Sequence, residues 1–137
     1  MNPSNETLLK LLKETKTIAV VGLSPKADRP SHRVAAYMQK RGYTIIPVRP
    51  GCDTLLGEKA YASLDEIPSD IKVDMVDVFR KAEDTPPIAE AAARIGAKSI
   101  WLQQGIINSL SMQTAEKAGL TAVQDLCLMV EHRRLLG

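Results

Sequence analysis

Aromatic residues are scarce in this chain of 137 residues: one Trp, one Phe and three Tyr, 4% of the total. So few rings offer little on which single-stranded bases could stack. Charge adds nothing to a nucleic-acid reading, because 18 Lys and Arg stand against 16 Asp and Glu, and the net +2 is spread along the chain rather than gathered into a basic face. Cysteine is limited to Cys52 and Cys127, far apart and outside any CxxC or Cys/His cluster. That argues against a disulfide framework or a zinc site and leaves two free thiols. No apolar run approaches the ~20 residues of a membrane span, and the first stretch, MNPSNETLLKLLKETK, has neither an apolar core nor a small-residue cleavage site. The expectation is a cytoplasmic protein with neither membrane nor nucleic acid as partner. GxxxxGK(S/T), HExxH and GxSxG are all missing, which removes the main support for NTPase, metalloprotease and α/β-hydrolase chemistry. His32 and His132 have no Ser, Cys or carboxylate recognisably arranged around them. Both read as structural or solvated, with Glu131, His132, Arg133 and Arg134 forming a polar helix face.

What is present is the composition of an ordinary globular protein, 45% hydrophobic and 25% charged. The length suits one domain over residues 1–137, large enough to bury a core without disulfides or metal. Apolar runs bounded by turn residues alternate with segments of helical period, the mark of βαβ units on a parallel sheet. The pattern predicts a helix near Glu6 to Glu14, capped by Ser4 or Asn5, and then a buried strand from Thr17 to Gly22. Ser31 reads as the cap of a second helix that turns Val34, Ala35, Tyr37 and Met38 inward and stops at Gly42. Tyr43 to Val48 is a second strand, with Pro47 marking where its pairing ends. A long loop through Pro50, Gly51 and Gly57 leads to a third strand, Val73 to Phe79, whose alternation is imperfect. Thr85-Pro86-Pro87 opens a helix that runs to Ile95. Lys98 to Leu102, a helix from Ser111 to Ala118, Thr121 to Gln124 and a last helix from about Leu126 to Leu136 complete the chain. The fold class is α/β: a doubly wound, Rossmann-like parallel sheet of about five strands with helices on both faces.

In such a sheet ligands bind beyond the carboxyl ends of the strands, at the point where the strand order reverses. That rule selects the segments to inspect. Gly22, Leu23 and Ser24, with Ser31 at the next helix start, form a turn suited to phosphate, with Lys26 and Arg29 near enough to neutralise charge. The turn is not a full GxGxxG, since no second glycine occurs from Leu23 to Pro30. After the second strand comes Pro47-Val48-Arg49-Pro50. An NAD-binding domain usually places an acid there for the ribose hydroxyls, whereas a cation suits a phosphorylated ribose. Phe79 and Arg80 follow the third strand as a ring for a base and a further cation. Gln103, Gln104 and Gly105 form a polar edge after the fourth strand, while Trp101 reads as core. Cys127 stands after the fifth strand, either as a small core residue or near the reactive end of a ligand.

The segments IAVVGLSPKADRPSHRVAAYMQKRGYTIIPVRPG, LLGEKAYASLDEIP, VDMVDVFR, WLQQGI and DLCLMVEHRRL together resemble the small bacterial and archaeal coenzyme A-binding proteins. These are stand-alone relatives of the nucleotide domain of the succinyl-CoA synthetase α subunit. The likeness runs over nearly the whole chain in the family's order. It implies that the CoA pyrophosphate rests on Gly22, Leu23, Ser24 and the helix start at Ser31, with Lys26 and Arg29 beside it. It implies also that Pro47, Val48, Arg49 and Pro50 border the adenosine next to Phe79 and Arg80. Arg49 stands where the family usually has Asn, a change compatible with a 3′-phosphate. The synthetase's phosphorylated histidine and its nucleotide grasp lie in parts that have no counterpart in these residues, so the resemblance implies a binding module rather than an enzyme.

The leading expectation is therefore a binder of coenzyme A or an acyl-CoA, acting as carrier, sensor or regulatory protein. A small NADP-dependent oxidoreductase, or a CoA-thioester enzyme using Cys127 as nucleophile, is the alternative. A dimerisation or scaffolding unit without a small ligand ranks last. The sequence is compatible with a homodimer or a partner protein.

Overall fold

In the computed structural model, which describes residues 2–137, five parallel strands form one sheet in the order β2-β1-β5-β6-β7. The strands are β1 (Thr17–Val21), β2 (Thr44–Val48), β5 (Met75–Val78), β6 (Ser99–Leu102) and β7 (Thr121–Val123), with a two-stranded hairpin, β3 (Thr54–Leu55) and β4 (Glu58–Lys59), between β2 and β5. Helices α1 (Asn5–Glu14), α2 (Pro30–Lys40) and α5 (Leu128–Leu136) cover one face, and α3 (Thr85–Arg94) and α4 (Ser109–Lys117) the other. The order reverses between β1 and β5, because the chain leaves β1 toward β2 on one side and later returns to the other side of β1.

Alternation of side chains along each buried strand splits the core in two. Ile18, Val20, Met75 and Trp101 meet Leu8 and Leu12 of α1, Val34, Ala35 and Met38 of α2 and Leu128 of α5, while Val76, Val78, Ile100 and Leu102 meet Ala89 and Ala92 of α3 and Met112 and Ala115 of α4. Trp101 is fully buried and its indole N–H donates to the Leu126 carbonyl at 2.8 Å.

Several boundaries differ from the sequence reading, each for a local reason. Ser4 caps α1 by accepting the Thr7 N–H at 3.2 Å. Helix α2 starts at Pro30 with Arg29 as its cap residue, so Ser31 sits inside the first turn rather than capping it; proline's fixed φ suits that first position. Pairing of β2 does not stop at Pro47, which stands opposite Val20 and is followed by the pair Val21 and Val48. Proline is tolerated because β2 is the edge strand, where Tyr61 donates to the Pro47 carbonyl at 3.0 Å and accepts from the Arg49 N–H at 2.8 Å. The long loop therefore holds the short hairpin, the Tyr61 bridge and a single 3-10 turn, Leu64–Glu66. Asn108 caps α4, its carboxamide oxygen accepting from Ser111 N–H at 2.8 Å, so that helix starts two residues before the Ser111 expected from sequence. Cys127 is extended as the cap residue, and α5 begins at Leu128 rather than at Leu126.

Candidate ligand-binding site

The carboxyl ends of β1, β2 and β5 converge where Gly22 meets Phe79. Gly22 has φ +86°, and a Cβ built there would lie 2.5 Å from the Phe79 carbonyl oxygen. Its lack of a side chain is thus demanded by the neighbouring strand end, not by space for a ligand. Its N–H is also engaged, donating to the Val48 carbonyl at 2.9 Å.

Around this junction lie three cavities that share walls. The first, about 630 Å³, is bounded by Val48, Arg49 and Pro50 after β2, by Leu64 of the 3-10 turn, by Phe79 and Arg80 and by Ile88 of α3. An ion pair between Arg94 and Asp65 at 2.8 Å stands at its rim, and the Arg94 guanidinium holds the exposed Asp65 carboxyl below its ordinary range, chiefly by hydrogen bonding. The second, about 420 Å³, lies over the α2 N-terminus between Gly22, Ser24, Lys26, Arg29 and Ser31, again with Arg49 and Phe79. The third is an open, mainly apolar groove of about 490 Å³ lined by Pro30, Val34, Phe79, Arg80, Gln103, Gln104, Ile106 and Cys127. Phe79, half-buried, borders all three.

The middle cavity is built for negative charge. Among the described residues Lys26, Arg29 and Arg49 have no carboxylate partner, and the first-turn N–H groups of α2 have none within the helix. Arg49 is steered across the junction by donating to the Leu23 carbonyl at 3.4 Å. The loop is tied down from within: Ser31 Oγ accepts the Ser24 N–H at 2.9 Å, Ser24 Oγ accepts the Lys26 N–H at 3.1 Å, and His32 Nδ1 donates to the Ser24 carbonyl at 2.9 Å. His32 is therefore a brace of this loop.

Of the residues singled out from sequence, Gly22, Ser24, Lys26, Arg29, Ser31, Val48, Arg49, Pro50, Phe79, Arg80 and Gln104 come together along these walls. Three do not. Leu23 is fully buried and packs in the α1/α2/α5 core, Pro47 is buried within β2, and Gly105 donates its N–H to Asp125 Oδ1 at 2.8 Å in a turn outside the cavities. Cys127 is half-buried, on the groove wall rather than in the interior.

Sequence reasoning did not single out Asp77, the acid that interrupts the apolar run of β5. It is fully buried; Oδ1 accepts from Gln103 Nε2 at 2.6 Å, and Oδ2 has no hydrogen-bond partner among the described residues. Burial pushes its carboxyl up to about 7, against the lowering pull of hydrogen bonds from Gln103 and from the Val78 backbone. The carboxamide of Gln103 also accepts from the Leu128 N–H at 3.4 Å, so this pair ties the groove floor to the start of α5. Glu131 and His132 are likewise buried rather than lying on a polar face; Glu131 is paired with Arg134 at 2.6 Å and His132 is packed between Tyr37 and Tyr43.

Among the described residues no group of three or more His, Cys, Asp or Glu is placed to hold a metal, and no helix is long and apolar enough to cross a membrane.

A family model described as a CoA binding domain matches residues 16–133. Uncharacterized protein YneT of Bacillus subtilis (strain 168) is 45% identical over 131 residues, 96% of this chain and 96% of that protein. A hypothetical protein from Pyrococcus horikoshii OT3 has a structure that superposes with a TM-score of 0.93 at 38% identity, covering 98% of this chain and 94% of that one. An ADP-forming acetate–CoA ligase II of Archaeoglobus fulgidus is 31% identical over 85 residues, which is 61% of this chain but only 12% of the ligase.

Proposed function

Because the chain belongs to the family of CoA-binding domains, we propose that it holds coenzyme A or an acyl-CoA along the three joined cavities, as a stand-alone module that carries, senses or regulates rather than reacts. The supporting observation is the order of chemistry along the crevice. A roomy cavity with Phe79 and Ile88 on its walls receives the adenine, and the cationic middle over the α2 N-terminus receives the pyrophosphate. Arg49, shared by both, meets the 3′-phosphate. The apolar groove with two amides takes the pantetheine arm and ends by Cys127. A ligand whose own groups run base, phosphates, then amide-bearing aliphatic arm fits that order.

The N–H groups of Gly22 and Ser24 are occupied within the protein, so the phosphate is held by the α2 N-terminus and by Lys26, Arg29 and Arg49. Among the described residues the groove is lined by no imidazole or carboxylate that would activate Cys127. That favours binding over thioester chemistry, although one relative is named an acetate–CoA ligase. Isothermal titration of CoA, dephospho-CoA, NADP and NAD tests the proposal. CoA is expected to bind tightest, with dephospho-CoA weaker; tighter binding of either nicotinamide nucleotide overturns it. Cysteine-reactivity profiling tests the enzyme alternative, which an inert Cys127 removes.

A further inference from the structure

At the opposite end of the sheet from this crevice, where α1 and α2 finish and β1 begins, lies a separate small cavity of about 300 Å³. Its walls carry Lys13, Lys16 and Arg41 together with the imidazole of His132 and, among the described residues, no carboxylate; the Asp74 carboxylate beside it accepts the backbone N–H groups of Lys16 and Thr17 at 3.0 and 2.9 Å. These basic groups come from α1, the link to β1, the end of α2 and α5, so the fold, not a run of charge in the sequence, gathers them.

His132 is the built element. It is 8% exposed, its ring packs edge-on against Tyr37 and Tyr43 at centroid distances of 5.5 and 5.7 Å, and its Nδ1 meets the Tyr37 hydroxyl at 3.1 Å. Its Nε2 has no hydrogen-bond partner among the described residues. The Tyr43 hydroxyl donates to the Leu12 carbonyl at 2.7 Å, which fixes that wall. Arg41 and Arg133 both stack on Tyr37, with their guanidinium carbons 4.8 and 5.4 Å from the ring centroid. The nearest acid along α5, Glu131, is taken by Arg134. Burial, and then the charge of Arg41, hold the His132 imidazole below its ordinary pKa. Helix dipoles account for Lys13 and Arg41 singly, since each stands at the carbonyl end of its helix. They do not account for Lys16 or for a buried imidazole turned toward the same space.

We propose that this cavity is a second binding site, for a phosphate dianion, either free or carried on a small metabolite. Three permanent cations and an imidazole call for more than one negative charge, which a single carboxylate does not supply. The site is separate from the nucleotide crevice and stands whether or not that crevice takes CoA.

The chain has two histidines, and each reports one end of the molecule. His32 braces the loop beside the crevice; His132 lines the basal cavity. The experiment follows both imidazole signals of the whole protein by NMR through pH titrations, in rising concentrations of inorganic phosphate or of methyl phosphate, with sodium chloride holding ionic strength constant. A saturable upward movement of the His132 midpoint is expected. In Arg41→Glu and in Lys16→Glu the apparent dissociation constant should rise at least about tenfold, the loss of one charge-assisted hydrogen bond. Tighter binding of the ester than of inorganic phosphate assigns the site to a metabolite; equal or weaker binding assigns it to the free ion. A His132 midpoint indifferent to phosphate across the millimolar range, an equal response to chloride alone, or a response unchanged in both variants overturns the proposal. Failure of the CoA reading appears elsewhere, as an unmoved His32 signal and a flat calorimetric trace with CoA in phosphate-free buffer.

Discussion

Replacing Gly22 with alanine probes the junction on which the crevice is built. Two costs arise. The backbone at φ +86° is disfavoured for any residue with a Cβ, by roughly 1–2 kcal/mol. The new methyl group would also stand 2.5 Å from the Phe79 carbonyl oxygen and 3.1 Å from Cδ of Arg80. The first neighbour is backbone at the end of a central strand and cannot swing away, so overpacking adds about 1–3 kcal/mol. Together these lower the melting temperature by roughly 6–15 °C for a chain of this size. Gly105 supplies the matched control, with φ +88° and open space where its Cβ would be. Gly105→Ala carries the conformational cost alone, roughly 3–6 °C. Scanning calorimetry of both variants isolates the contact by difference, and titration with CoA should show weaker binding in Gly22→Ala, because relief of the clash moves Phe79. Equal melting temperatures for the two variants would refute the argument that Phe79 dictates glycine at position 22.

Arg49→Glu is expected to weaken CoA by about tenfold to a hundredfold and dephospho-CoA much less; equal losses in calorimetry would contradict the placement of the 3′-phosphate. Ser31→Ala removes the acceptor of the Ser24 N–H, so denaturant melts should show a loss of about 1–2 kcal/mol and titrations a several-fold weaker CoA. Unaltered binding would mean the loop needs no brace. Asp77→Asn tests the buried carboxyl. Between its ordinary 3.8 and about 7 the folded chain keeps a proton that the unfolded chain releases, so Asp77 makes stability fall as pH rises through that window, by roughly 4 kcal/mol in all. The variant should therefore gain on the parent in urea melts at pH 8 relative to pH 5, and parallel pH profiles would refute it.

Much of the candidate site was legible because the rule that located it is topological. Once Thr17 to Gly22, Tyr43 to Val48 and Val73 to Phe79 read as strands of one parallel sheet, the residues at their carboxyl ends had to sit at one edge of that sheet, and Arg49, Phe79, Lys26 and Arg29 do line one crevice there. Their individual partners were not legible. Gly22 and Ser31 look like ligand groups in a linear pattern, yet one yields to Phe79 and the other holds Ser24. Gly105 looks available but turns toward Asp125. Asp77 showed only as a break in alternation, and the walls contributed by Leu64 and Ile88 carried no signal, since apolar residues on a turn or helix look alike whether they face core or cavity.

The sequence by itself determined the alternation of strand and helix, the two faces of the core and the end of the sheet where Lys26, Arg29 and Arg49 gather. Those follow from short-range dihedral preferences and from periodicities of two and 3.6 residues, which any window of the chain displays. Tertiary structure alone decided that Pro47 pairs within an edge strand, that a hairpin and Tyr61 cover that edge, that Asp77 lacks a second partner, and that Lys13, Lys16, Arg41 and His132 surround one cavity. Each of these depends on strand register and helix packing between residues distant in the chain, where the deciding energies are those of contact and desolvation rather than of local conformation.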